Sequence, residues 1–174
     1  PVLTRILAGT PIEIQALADE LQFMSLRVEL FLVGKKLDPK IQRIYVADPD
    51  IPPHKIALNN NSSEYLKQKP YHTIISEVSY SKEKNMDMND VSPKTISFLS
   101  KMNILESSND IIWNGHVDVK YAYPVYTHNR PKIVQEIKKY LQKYNIYTAG
   151  RFGDWEYINS DKCIWKGMNL AKNI

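Results

Sequence analysis

Glycine is scarce in this sequence, and its placement excludes more than its number does. The six glycines stand at positions 9, 34, 115, 150, 153 and 167, and no arrangement of them forms the G-x-G-x-x-G turn of a strand–helix dinucleotide site. Cysteine is scarcer still. Cys163 stands alone, which excludes an internal disulfide and fits a reducing, cytoplasmic setting. No run of about 18 apolar residues occurs, so no membrane span is expected. Pro1-Val2-Leu3-Thr4-Arg5 has neither the basic start nor the cleavage site of a secretory signal. His54, His72, His116 and His128 are scattered without H-x-x-x-H or cysteine spacing, so no metal site is expected. The net charge of +4 is spread over residues such as Lys35, Lys36, Lys40 and Arg43, with no basic block interleaved with aromatics, so nucleic acid is not an expected partner. Gly-x-Ser-x-Gly, P-loop and paired-carboxylate patterns are absent too.

What remains is an ordinary globular composition, 43% hydrophobic, in a length that suits one domain or a little more and buries roughly 70% of its unfolded surface. Pro11 to Gln22 predicts a helix, with Glu13 where the dipole favours an anion and Ile14, Leu17, Ala18 and Leu21 on one face. From Phe23 to Val33 the apolar Leu26, Val28, Leu30 and Leu32 alternate with Arg27, Glu29 and Phe31, the period of a long strand with one buried face. Ile41 to Ala47 predicts a second strand, closed by Asp48-Pro49-Asp50-Ile51-Pro52-Pro53, and Lys55 to Leu58 a short third. Asn59 to Ser63 predicts a polar loop capping one turn at Glu64 to Lys67, Tyr71 to Tyr80 a central strand, and Ser81 to Asp90 a surface connection. Ser92-Pro93 predicts a helix to about Asn103 with Ile96, Leu99 and Met102 as its stripe, followed by a strand from Asp110 to Tyr121 that carries His116. Asn129 and Pro131 predict the start of an amphipathic helix bearing Ile133, Val134, Ile137, Tyr140, Leu141 and Tyr144. Strands with helices between them, not in strict alternation, indicate an α+β fold built on a mostly antiparallel sheet with flanking helices.

The last thirty residues carry the functional signal. Ile146 to Ala149 predicts a short strand, Gly150-Arg151-Phe152-Gly153 a turn, Asp154-Trp155-Glu156-Tyr157 an aromatic loop, and Asn159, Ser160 and Asp161 the cap of a closing helix. Cys163, Ile164, Gly167, Met168, Leu170, Ala171 and Ile174 recur at helical spacing, so that helix is expected to be buried, with Cys163 an inert core thiol. Its positive dipole end faces the Gly-Arg-Phe-Gly turn and suits a group that carries or develops negative charge.

A strand, Gly-Arg-x-Gly, an aromatic loop with Tyr-x-Asn/Asp-x-Asp and then a helix resembles the C-terminal segment of UDP-galactopyranose mutases and their relatives, the amine oxidase and protoporphyrinogen oxidase flavoproteins. The likeness extends upstream through Ala122, Tyr123, Pro124 and Val125, and more weakly to Ser25, Leu26 and Val28 and to the Asp48 to Pro52 turn. It implies a substrate-binding α+β region over residues 1–120, and a segment 121–174 whose strand, loop and helix complete an FAD-binding domain. The G-x-G-x-x-G loop that such a protein needs is absent, so the chain is expected to be a C-terminal fragment whose partner is a missing N-terminal FAD-binding half; the alternative is a naturally short protein sharing the tail.

The resemblance also implies roles. Gly150, Arg151, Asn159, Ser160, Asp161 and Lys162 would approach FAD, whose reduced ring gains electron density that backbone N–H groups at a helix start stabilise. Arg151 is the candidate catalytic residue, and Tyr123 and Tyr157 would present phenols to the diphosphate of a nucleotide-sugar or other small-molecule substrate. Two positions depart from the mutase pattern, which commonly has a basic residue where this chain has Glu156 and an aspartate where it has Asn159. An added negative charge near a diphosphate is unfavourable by about 1 kcal/mol per close contact even in water. Three functions follow: a mutase-like enzyme of cell-surface polysaccharide biosynthesis, an FAD-dependent amine or polyene oxidase, and a non-catalytic interaction domain.

Overall fold

The computed structural model describes all 174 residues, which divide into two compact units, Ser25–Lys120 and Pro1–Met24 with Tyr121–Ile174. The first is organised by a five-stranded sheet of β1 (Phe23–Val33), β2 (Arg43–Tyr45), β3 (Lys55–Leu58), β4 (His72–Tyr80) and β5 (Ile111–Pro124), in the order β2-β3-β4-β1-β5. The β1–β4, β2–β3 and β3–β4 pairs are antiparallel. The end residues of β1 and β5, Phe23 and Met24 and Tyr121–Pro124, belong to the other unit.

Register explains the core. Phe31 pairs with Ile74 and Val33 with His72, so the buried alternate residues of both strands point to one face. Helix α4 (Met88–Lys101) turns Val91, Thr95 and Leu99 inward at a spacing of four. The core is Phe31, Val33, Leu37, Ile56, Leu58, Ile74, Leu99, Ile104 and Leu105, and each of its large side chains stabilises the fold by about 2 kcal/mol on burial.

Several elements differ from the sequence reading for physical reasons. β2 has three residues where Ile41 to Ala47 suggests seven, because it ladders onto a β3 that begins just after Pro52 and Pro53. α4 starts one turn before Ser92-Pro93, since the Asp87 side chain accepts from Asn89 N–H and caps it there, leaving Pro93 inside. Met102 is 49% exposed, and Val91 and Thr95 take its place in the stripe. The asparagine run is a 3-10 turn (Asn59–Ser62) followed by α3 (Glu64–Lys67), capped by Ser63. Buried Asn60 donates to the Leu66 and Tyr71 carbonyls and accepts from Thr73 N–H, which ties this loop to the start of β4.

The second unit holds α1 (Val2–Ile6), α2 (Ile12–Asp19), α5 (Arg130–Gln142), α6 (Gly150–Gly153) and α7 (Ser160–Lys172). Leu21, Ile133 and Trp155 are its buried centre, flanked by Leu17, Phe23, Tyr121, Val134 and Ile137. The Gln22 carbonyl accepts from both Val125 N–H and Trp155 Nε1–H, joining three distant parts of the chain. On α5, Ile133, Tyr140 and Leu141 are buried, but Tyr144, expected in the same stripe, lies beyond the helix end and is 58% exposed. Ile146 to Ala149, expected as a strand, pairs with no other strand and runs extended into α6. The closing helix is not buried. No residue of α7 is buried, Ile164, Trp165 and Met168 stand open to solvent, and Cys163 is half-buried, not a core thiol. No helix is long and apolar enough to cross a membrane.

His72, 2% exposed, accepts from Leu37 N–H through Nδ1 at 3.1 Å, so its proton sits on Nε2. Burial pushes its pKa down, outweighing the Lys67 carbonyl, and burial likewise lowers His54 despite Glu77. A depressed histidine means the unfolded chain takes up protons first, so its stabilising effect is complete above about pH 6.5 and is lost as pH falls below it. Thermal melts should therefore drop on acidification through that range, and a His54→Asn/His72→Asn double variant, less stable throughout, should lose that slope. A slope unchanged in the double variant would show that other groups set it.

Candidate functional site

α6 owes its start to backbone geometry. Gly150 has φ +86°, and its missing Cβ would sit 3.7 Å from Cys163 Cβ and Sγ, an ordinary contact. The left-handed φ, not crowding, is therefore what demands glycine at 150. Gly153 is required for the opposite reason, since a Cβ there would lie 3.0 Å from the Thr148 backbone. Between them, Arg151 leaves α6 and returns over the loop that follows.

Nε and Nη2 of Arg151 both donate to the Ile158 carbonyl, at 2.9 and 2.7 Å. This uses two of the five guanidinium N–H groups. The guanidinium carbon lies 4.8 Å from the Tyr157 ring centroid and 5.8 Å from that of Tyr123. The two phenol rings are 5.5 Å apart and inclined at 56°. Arg151, Tyr123 and Tyr157, singled out separately in the sequence, thus form one stack of a cation on two aromatic faces, a favourable arrangement worth about 1 kcal/mol per contact at a partly exposed site.

The Ile158 carbonyl that fixes the stack lies two residues before α7. Asn159 is the N-cap by backbone position, but no side chain accepts from the first N–H groups of the helix. The first intrahelical bond runs from Cys163 N–H to the Asn159 carbonyl, and Asn159, Ser160, Asp161 and Lys162 are all exposed. The positive end of a 13-residue helix is therefore open, with Arg151 held beside it by the carbonyl of its N′ residue. The site offers oriented backbone donors, one fixed guanidinium and two phenols, a set suited to a phosphate ester or to an electron-rich ring edge.

Sequence reasoning missed the groups that hold this arrangement. Tyr126 Oη accepts from Tyr157 N–H at 2.8 Å, and its ring carries the Arg130 guanidinium at 4.5 Å. Arg130 donates to the Trp155 carbonyl at 2.9 Å and the Asp154 carbonyl at 3.3 Å. No local pattern announces partners 24 to 31 residues apart. Glu156 is also not the free anion its position suggests, because Lys166 Nζ lies 2.6 Å from its carboxylate.

No protein-family model matches the chain. Its architecture nevertheless has solved counterparts. The chain shares its fold with a UDP-galactopyranose mutase. The crystal structure of that enzyme in reduced form superposes with a TM-score of 0.78 at 24% identity, covering 89% of this chain and 34% of the mutase. A protein of Exiguobacterium sp. 255-15, assigned as a protoporphyrinogen oxidase, matches with a TM-score of 0.67 at 13% identity over 94% of this chain and 38% of its own. The chain thus spans about a third of the length of either structure, and at these identities the likeness is one of fold.

Two glycines of the site region separate backbone demand from helix propensity. Gly150→Ala places a Cβ on a left-handed residue and should cost about 1–2 kcal/mol. Gly167 lies in α7 with nothing within 4 Å of its Cβ position, so Gly167→Ala should stabilise by about 0.5–1 kcal/mol. Urea denaturation of the two variants measures both, and effects of equal sign would refute the distinction.

Proposed function

We propose that this chain is the C-terminal, substrate-facing part of an FAD-dependent, UDP-galactopyranose mutase-like enzyme. It would interconvert ring forms of a nucleotide sugar for cell-surface polysaccharide of the lipopolysaccharide or capsule type, in the cytoplasm. The observation that carries the reading is the Arg151 stack at the uncapped start of α7, on a chain with the mutase fold. The residues present suit the cofactor: the open N–H groups at Ser160, Asp161 and Lys162 are donors for the edge of an isoalloxazine ring. When bound, reduced flavin supplies the electron pair that lets the nucleotide leave the anomeric carbon and the sugar ring reclose.

The chain's own part is to hold the leaving group. Arg151, with three guanidinium N–H groups not used by Ile158, donates to the diphosphate while the Ile158 carbonyl fixes its plane. The Tyr157 hydroxyl donates beside it, and Tyr123 closes the other side of the stack. Glu156 does not oppose this, because Lys166 neutralises it. Pyrophosphate and adenine contacts belong to an N-terminal FAD-binding half, which in this reading covers the exposed Ile164, Trp165 and Met168 of α7.

Isothermal titration of the 174-residue chain with FAD should give no submicromolar binding. Joined to its FAD-binding half, it should turn over UDP-galactopyranose only after the flavin is reduced, and Arg151→Ala should lower kcat/KM about 100-fold with flavin still bound. The protoporphyrinogen oxidase likeness supports a second reading, an FAD-dependent oxidase, in which substrate itself bleaches the oxidised flavin without external reductant. If the joined protein bound neither flavin nor nucleotide sugar, the chain would be an interaction domain and the proposal would fall.

A further inference from the structure

The loop Asp154–Ile158 supplies both Tyr157 and the carbonyl that fixes Arg151, and it is held in an unfavourable backbone conformation. Trp155 has φ +51°, the left-handed region that a bulky side chain avoids, yet it is 2% exposed and immobilised by its bond to the Gln22 carbonyl. The residues on either side of it are both anions, and both are bound by cations from helices. The Asp154 carboxylate, with a side chain only 12% exposed, accepts from Lys138 of α5 on one oxygen and from Lys166 of α7 on the other, the latter at 2.8 Å. Lys166 also reaches Glu156, at 2.6 Å. The result is an alternating line of charges, Lys138, Asp154, Lys166, Glu156, that crosses from α5 to α7 through the loop.

The electrostatics favour a persistent structure over a chance surface pair. Burial alone would push the Asp154 carboxyl up, but the two lysine hydrogen bonds outweigh it and hold the group below its ordinary range. Lys166 is raised by Asp154 and Glu156 against its own desolvation. A carboxylate this enclosed, bridging two cations, is far more consequential to remove than an exposed ion pair. The loop's backbone is pinned in addition by Glu156 N–H to the Arg151 carbonyl at 2.8 Å and by Tyr157 N–H to Tyr126 Oη. The first of these returns to the residue whose guanidinium the loop holds.

We infer that Asp154 is a positioning residue: through Lys138 and Lys166 it locks Trp155 in its left-handed turn and so fixes the Tyr157 ring and the Ile158 carbonyl under Arg151. It touches no substrate. Its consequence for catalysis rests on the mutase-like reading above, whereas its consequence for the loop does not. With Asp154 neutral, Lys138 and Lys166 lose their common acceptor, the turn at Trp155 relaxes, and Arg151 loses the carbonyl that orients it.

Two measurements on Asp154→Asn, with Asp154→Glu as the conservative variant, test this. Hydrogen exchange on the 174-residue chain reads the loop directly: the Glu156 and Tyr157 amides should exchange at least about tenfold faster in Asp154→Asn, with the middle of α5 unchanged, and Asp154→Glu should recover most of the protection. Unchanged loop exchange, or an equal loss throughout α5 and α7, would overturn the inference. Steady-state kinetics with the FAD-binding half present reads the consequence: kcat and kcat/KM for UDP-galactopyranose should both fall about tenfold, as for a misoriented transition-state donor. A wild-type protein without mutase turnover overturns the functional reading while the exchange result stands on its own; turnover in which kcat and KM are both unchanged by Asp154→Asn overturns the positioning role.

Discussion

The pair of hydrogen bonds from Arg151 to the Ile158 carbonyl is the constraint on which the candidate site depends. A guanidinium on a flexible stem loses considerable rotamer freedom when ordered, and that loss is offset here by two bonds to one acceptor and by two aromatic faces. The acceptor is itself the residue before the N-cap of α7. Any movement of the helix start therefore moves the arginine with it, so the cation and the open N–H groups keep a fixed mutual geometry. Preorganised donors of this kind gain their value from not having to reorient when charge develops between them.

Seen this way, the oddities of the region have a common cause. Gly150 takes a left-handed φ so that α6 can begin directly after an extended segment, and Trp155 takes one so that the chain can reverse between two anions. The left-handed φ costs glycine little, whereas it is unfavourable for tryptophan. The turn at Trp155 persists because Gln22, Arg130, Lys138 and Lys166 hold the residues around it. Asn103 and Asn145 also take a left-handed φ, which asparagine tolerates, so Trp155 is the bulky residue held against its preference, and it adjoins the aromatic–cation stack.

Which features were legible in the sequence follows from the range of the forces involved. Phe23 to Val33 and Lys55 to Leu58 were readable as strands and Asn159 as the start of the last helix, but finer detail was not. The alternating apolar set Leu26, Val28, Leu30 and Leu32 is not the inward face, where Glu29, Phe31 and Val33 are buried, and Asn159 is an N-cap by backbone position without a side-chain bond. The Arg151, Tyr123 and Tyr157 grouping was reached only through resemblance, and periodicity gives no hint that residues 28 and 34 positions apart meet. Ile146 to Ala149 misled because strand propensity describes one chain while a strand needs a second to exchange hydrogen bonds with. The apolar periodicity of α7 was read correctly as a face, but a face does not state what covers it, and in this chain Ile164, Trp165 and Met168 remain open. Asn59 to Ser63 was read as a polar loop, a reading that does not say that Asn60 and Asn61 are buried; their amides replace the backbone pairing that an irregular segment lacks.

Glu156 shows most clearly why letters and charges must be read separately. Measured against the mutase pattern, it exchanges a cation for an anion in the loop beside the expected diphosphate, and taken alone that argues against an anionic substrate. The structure places Lys166, ten residues on and about two turns into α7, between Glu156 and Asp154. Counting Lys138, the line holds two cations and two anions, so Glu156 adds no unpaired anion to the loop's surroundings. What the exchange changes is mechanical. A lone basic residue would contribute its charge to the ligand, whereas Glu156 contributes a tether to α7 and leaves Arg151 as the cation that faces the stack. The substitution therefore bears on how firmly the loop is held more than on which sign of ligand it admits.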